Sequence, residues 1–266
     1  MNRRKLMRIL PWVTTPGLVV LLLVAWQLAV TIGGVNSLIF PSPLDVSVAG
    51  VQMLGEPDTW ENVGLTVTAI VTGFLIAVVT GVLVGVVLGK IPWLEVSLRP
   101  LIVISQVVPK VAFVPLFVIW FGFGITSKIV LATLLAFFPV MLNVLLGVRS
   151  IERGQREVMQ SLNANRIQTF SQLEMRGIMP YLFAGMEVAI VLATIGAIVG
   201  EYIGGNRGLG AMVVTAMNAL DSPRMFAIIG LLSVIGLGLY LIVNESKRFF
   251  IPWHESVYTQ RELAVA

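Results

Sequence analysis

Cysteine is absent from the chain, histidine occurs once in 266 residues, and only 12% of the residues are charged. Each shortage excludes something. Without cysteine there is neither a disulfide framework nor thiolate chemistry. The lone His254 lies in a polar C-terminal stretch and reads as a solvated or packing side chain, not as a metal ligand. Acidic residues do not cluster, so no metal or nucleophilic constellation of a membrane enzyme is in place. The nearest approach to a phosphate-binding loop, Gly85 to Lys90, lacks the Ser or Thr that should follow the lysine. The basic excess, a net charge of +4, raises the question of nucleic acid. That partner needs a basic stripe on one folded surface, and here the charges are scattered through short polar segments between apolar ones.

What the chain has in abundance is apolar residues, 57% of the total. Soluble domains carry about a quarter charged residues, so these few charges could not clothe a surface of this size in water. Lipid is the solvent that suits it. A hydrocarbon core about 30 Å thick takes roughly 20 apolar residues in a helix, and the sequence offers about six such stretches. They run from about Pro16 to Ile32, Val63 to Leu88, Leu101 to Phe121, Ile129 to Val148, Tyr181 to Tyr202 and Met225 to Val243. The expected fold is an all-α membrane protein. The basic start, MNRRKLMRIL, resembles a signal peptide, but the first apolar stretch is long and no A-x-A-like site follows it, so it reads as a retained span.

Charge sets the expected orientation. With the N-terminus inside, the inner basic residues are Arg3, Arg4, Lys5, Arg8, Lys90, Arg99, Arg149, Arg153, Arg156, Arg166, Arg176, Lys247, Arg248 and Arg261, which is 14 of the 18. The other four are Lys110, Lys128, Arg207 and Arg224. That asymmetry places both termini in the cytoplasm. The organisation expected is a cytoplasmic segment (1–15), a first span with a polar external segment (16–62), a membrane core (63–253) carrying a cytoplasmic loop (149–180), and a cytoplasmic tail (254–266).

Three local patterns stand out within that frame. Glycine recurs every fourth residue at Gly81, Gly85 and Gly89 and again at Gly196, Gly200 and Gly204. Such spacing lets helix backbones approach closely, for packing or for a moving interface. In the third span Pro109 and Pro115 each remove a backbone donor and should kink the helix. Lys110 sits between them, and an ionisable residue in a span, costing about 2.5–3.5 kcal/mol to insert, is a pathway candidate unless it snorkels to the headgroups. In the loop, Val158, Met159 and Leu162 and then Ile167, Phe170 and Leu173 fall at helical spacing. Two short amphipathic helices are expected, broken at Asn163-Ala164-Asn165, where Asn tolerates the left-handed backbone that ends a helix. Asn165 with Gln168 has the form of a capping box for the second helix. Helices of this kind suit docking in a partner's groove or lying on the bilayer surface.

The loop resembles the EAA loop of ABC importer permeases, whose pattern runs E-A-A, then S-L-G-A, then F-x-x-V-x-L-P and a further P. Glu157 matches the leading Glu, Ser161, Leu162 and Ala164 the middle, Phe170 the Phe and Pro180 the last Pro. Val158-Met159 replace the paired alanines, Asn163 the Gly, and Met175-Arg176 the Leu-Pro. FVPLFVIWFGFG (113–124), SKIVLATLLAFFPVMLN (127–143) and EYIGGNRGLG (201–210) are similar to segments of permeases serving nitrate, sulfonate, taurine and bicarbonate importers, so the resemblance spans roughly Val63 to Trp253. It implies the type I importer permease fold in the inner membrane and a partner permease subunit, usually identical. It further implies two ATPase subunits docked on the loop (Glu157, Ser161, Leu162, Asn163, Ala164, Asn165, Arg166, Phe170) and an external solute-binding protein. ATP would bind those subunits, and this chain would carry no cofactor, metal or catalytic residue. Polar residues in spans that are candidates for the translocation path are Gln106, Lys110, Asn143, Glu187, Thr194 and Glu201. Glu187 is placed to line the inner mouth or pair with a basic loop residue, and Glu201 to meet the binding protein or the solute. The solutes implied are small anions or aromatic compounds, including vitamins and their precursors. The main rival, an ion-gradient-driven secondary transporter, should show an inverted repeat and paired intramembrane carboxylates, and the sequence shows neither.

Overall fold

In the computed structural model the described residues are 3–34, 36 and 39–253. His254 and the expected tail lie outside them. Every regular element among the described residues is helical. In chain order these are α1 (Arg3–Ile32), α2 (Pro43–Leu54), α3 (Pro57–Lys90) and α4 (Pro92–Val107), a 3₁₀ turn (Lys110–Phe113), α5 (Val114–Phe121), α6 (Ile125–Arg149) and α7 (Arg153–Ser161). There follow α8 (Arg166–Gln168), a π-helical segment (Thr169–Glu174), α9 (Met175–Gly204), α10 (Leu209–Asn218) and α11 (Ser222–Phe250). The helix starts are written in the sequence. Pro stands in the first turn of α2, α3, α4, α5 and α11, where its missing N–H is not needed. Ser42 and Asp45 form a capping box on α2, and the Asp221 carboxylate accepts from Arg224 N at 3.1 Å on α11.

Among the described residues, four helices are long and apolar enough to cross a membrane: α3, α6, the continuous run Arg166–Gly204 that contains α9, and α11. The pair α4 and α5 passes the same test together but is bent by 80°. The expected third span is therefore a broken element rather than a kinked helix. Pro109 lies at the break, whereas Pro115 falls in the first turn of α5 and starts a helix instead of bending one. The first expected span, Pro16–Ile32, is a shorter apolar stretch of 17 residues within α1. Trp26 anchors it, stacking near Phe40 and Phe226 with centroids 5.3 and 6.0 Å away and donating its indole N–H to the Pro41 carbonyl at 3.1 Å. Two short helices, α2 and α10, lie outside the six expected spans, α2 within the stretch read as a polar segment.

The core is centred on α6, which lies between α3 and α9. Ala132, Ala136, Val140, Val144 and Val148 of α6 are fully or almost fully buried there, with Ala69, Ile70 and Ala77 of α3 and Ala189, Ala193 and Ala197 of α9. Both glycine stripes serve this packing. A Cβ on Gly81, Gly85 or Gly89 would stand 2.6–2.9 Å from atoms of Val140, Met141 or Val148, and one on Gly196 would stand 2.8 Å from Ala132 Cα. With no hydrophobic drive between apolar helices in lipid, close backbone approach is what holds them together. We expect Gly85→Ala, whose methyl would lie 2.6 Å from the Met141 carbonyl oxygen, to force α3 off α6 and cost about 1–3 kcal/mol. Gly64→Ala, which meets nothing within 4 Å, is the control. Thermal melts of the two purified variants in detergent, followed by tryptophan fluorescence, test this. Equal melting temperatures would mean the helices part without penalty.

Candidate functional site

At one end of the bundle lie the C-terminal ends of α3, α6 and α11, the N-terminal end of α9, and α7. The helix α7 begins at Glu152, whose side chain caps the first turn reciprocally with Gln155. It ends in a full Schellman motif. Asn163 takes φ +53°, the Ala164 amide reaches the Met159 carbonyl at 3.0 Å, and the Asn163 amide reaches that of Gln160 at 2.9 Å. This is the turn for which a glycine is the natural choice, and Asn fills it at small cost. Asn165 then caps the following helix, its Oδ1 accepting from the Gln168 amide at 2.8 Å while Gln168 Oε1 accepts from the Asn165 amide at 2.9 Å. The second expected amphipathic helix is not a separate element. It runs from Arg166 through the π segment into α9 as one 39-residue helix, because Met175-Arg176 stand where a helix-breaking Pro is missing.

Within the loop Glu157, Ser161, Leu162, Asn163, Asn165 and Arg166 are exposed, while Ala164 and Phe170 are half-buried. Val158, Leu162 and Ile167 present apolar side chains that are 59%, 71% and 79% exposed. The loop is tied to the bundle beneath it. Lys90 Nζ sits 2.6 Å from Glu174 Oε2 and 5.1 Å above the Phe170 ring, Arg149 pairs with buried Glu95, and Arg176 lies 5.8 Å over Trp253.

At the opposite end, a buried polar latch joins α3, α9 and the start of α10. Glu201 has no exposed surface. Its carboxylate accepts from the Thr66 hydroxyl at 2.9 and 3.1 Å and from the Gly210 amide at 2.7 Å. The Leu209 amide donates to Thr66 Oγ1 at 2.9 Å, and the Gly208 amide to Asn62 Oδ1 at 2.5 Å. Three successive amides at the head of α10 are thus satisfied by remote side chains, with the carboxylate set where the helix dipole favours it. Gly208 is required twice over. Its φ is +104°, and a Cβ there would overlap Glu201 Oε1 at 2.2 Å. Buried Lys128 donates to the Arg207 carbonyl at 2.6 Å and closes the same loop.

The six pathway candidates fall at separate places. Gln106 and Lys110 lie on either side of the α4–α5 break. There Gln106 donates to the Ile102 carbonyl at 3.3 Å, and Lys110 lies 4.8 Å above the Phe138 ring. Asn143 is half-buried at the α6–α9 contact, donating to the Pro139 carbonyl at 2.9 Å. Glu187, Thr194 and Glu201 recur every seven residues along α9, but with different surroundings. Glu187 is ion-paired with Lys247 of α11, and Thr194 lines a groove of about 450 Å³ between α9 and α11 with Tyr202, Ser233 and Tyr240. Glu201 is enclosed in the latch. Of the four cations outside the inner set, Lys128 and Lys110 are engaged as described, Arg207 pairs with Glu61 at 2.7 Å, and Arg224 pairs with Glu56 at 2.5 Å. Asn62 and Thr66 were missed by the sequence reading. Their only signal is two polar residues four apart on one side of an apolar helix.

Residues 77–248 match the family described as binding-protein-dependent transport system inner membrane component. Among similar proteins, the riboflavin transport system permease protein of Chloroflexus aurantiacus is 40% identical over 92% of each chain. The formylaminopyrimidine transport permease protein of Halalkalibacterium halodurans is 31% identical over 88% of this chain and 93% of its own. The taurine transport system permease protein of Escherichia coli is 32% identical over 91% and 90%. With its bundle of apolar helices and this match across the core, the chain belongs to that family of inner-membrane components, as a multi-pass permease of an ABC transport system.

Proposed function

We propose that the chain forms the translocation path of an ATP-driven, binding-protein-dependent importer, with a second copy of itself as partner. Two ATPase subunits dock on the loop 149–180, on the cytoplasmic side with both termini, and an external solute-binding protein delivers the cargo. The observation that carries this reading is the exposed apolar ridge Val158, Leu162 and Ile167 on a loop otherwise anchored by ion pairs. Polar loops rarely hold three large apolar side chains open to water without a partner to cover them. A pull-down of the chain from gently solubilised native membranes tests it. An ATPase and a binding protein should travel with it. If neither does while a control importer stays intact, the reading falls, and uptake should be tested against proton and sodium gradients.

For the cargo, a heteroaromatic solute of vitamin type fits best. The α9–α11 groove is in the size range of small-molecule sites and combines aliphatic walls with two tyrosines and two hydroxyls. A sulfonate is the second reading, favoured by the taurine relative, but the cations it would need are already engaged by carboxylates, a carbonyl and a ring. We expect cells carrying the complete transporter to accumulate labelled riboflavin about tenfold above cells lacking this chain. Excess unlabelled taurine should leave that uptake unchanged. Competition by taurine would shift the assignment to sulfonates.

A further inference from the structure

We propose that Glu174 is the positioning residue that passes displacement of α7 into the membrane helices; this rests on the ATPase docking proposed above. Glu174 is the last residue of the π segment and the only acidic residue between Glu157 and Glu187. It is 9% exposed and holds two cations from different elements. Lys90, the last residue of α3, lies 2.6 Å from one carboxylate oxygen, and Arg156 of α7 lies 3.9 Å from the other. The other ion pairs at this end, Glu95 with Arg149 and Glu187 with Lys247, join membrane helices to each other, and Arg248 pairs with Glu245 within α11. Among the described residues, the Arg156 contact is the one ion pair that reaches from α7 to the bundle.

The two contacts are unequal, and that inequality suits transmission. The Lys90 bond is short and backed by the Phe170 ring beneath the ammonium, so Glu174 moves with α3. The Arg156 contact stands at the limit of an ion pair, where a shift of about 1 Å in α7 makes it or breaks it. The π segment supplies the compliance. Its i→i+5 bonding is rare, and single-turn π segments inside α-helices are frequently found at functional sites. Glu174 also occupies a position that the importer loop pattern leaves open, so the docking motif itself gives no reason for a buried acid there.

The absence of cysteine makes a direct test clean. Gly154→Cys on α7 and Gly64→Cys near the far end of α3 both carry side chains into open space. Spin labels on either one give a single distance between the two copies of the complete transporter. In the wild-type background, trapping with ATP and vanadate should change both distances. With Glu174→Gln the ATPase subunits should stay bound and the Gly154 distance should still change, while the change at Gly64 shrinks about fivefold or more. The triple exchange Lys90→Glu, Arg156→Glu and Glu174→Lys, which inverts both ion pairs, should restore the Gly64 change above Glu174→Lys alone. An undiminished Gly64 change in Glu174→Gln overturns the proposal, as does a triple exchange no better than Glu174→Lys alone. Loss of both changes together with loss of the ATPase would make Glu174 a docking or folding residue, which also overturns it. A wild-type protein that retains no ATPase overturns the docking reading and takes this one with it.

Discussion

Glu201→Ala should lower the melting temperature of the purified protein by about 10 °C and sharply reduce its abundance in the membrane. The substitution removes the acceptor for the Thr66 hydroxyl and for the Gly210 amide at once. It also strips the opposite charge from buried Lys128, whose ammonium is otherwise held by one carbonyl. Removing one partner from a buried charged network costs about 3–5 kcal/mol, because what remains cannot return to water. Glu201→Gln keeps the shape and an oxygen for Gly210, so its loss should be about half as large, because hydrogen bonds to a charged group are worth about twice neutral ones. Gly208→Ala attacks the same latch from the other side, through its positive φ and the overlap with Oε1. Because the two changes disable one unit, the double variant should melt close to the worse single one rather than at the sum. A Glu201→Ala protein melting within about 2 °C of wild type would show that α10 is held by something else.

That latch also marks where sequence reasoning stopped. Long apolar runs announce themselves, and α3, α6, α9 and α11 were legible to within a turn or two at each end. The α4–α5 element was legible only as irregular. A proline in an apolar run says that a hydrogen bond is missing, not how far the chain turns, and the 80° bend is set by packing of α5 on α6 and α9. The helices α2 and α10 were not seen because each is short and buries its apolar residues against other helices, α2 against α11, an element distant in sequence.

The loop was the opposite case. The Asn163 turn and the Asn165–Gln168 cap depend on residues within six positions of one another, so local chemistry alone specified them. Sequence named Glu201 but not its role, since a carboxylate near the end of a span reads as a surface feature until Asn62 and Thr66, far away in sequence, are brought against it. The same limit applies to Glu187, which finds Lys247 only when α11 packs on α9. Charges facing one another across helices are invisible to any periodicity.

Leu162→Asp should leave insertion and folding intact yet abolish transport. Leu162 is 71% exposed at the end of α7, and substitutions at such places usually change stability by less than about 0.5 kcal/mol. Docked in a partner's apolar socket, the same side chain contributes about 1.5–3 kcal/mol by burial. A carboxylate in that socket adds a desolvation cost of several kcal/mol. The sum corresponds to a loss of ATPase affinity of about a thousandfold. Copurification of the ATPase subunits and solute uptake should therefore fall together, at membrane abundance equal to wild type. Leu162→Met, which keeps the apolar volume, should retain both. Glu157→Lys, one helical turn earlier on the exposed surface of α7, should also uncouple uptake, but more weakly and in a salt-dependent way, because an exposed charge is screened. Wild-type copurification and uptake in Leu162→Asp would remove α7 as the docking element and leave the exposed ridge to the bilayer surface.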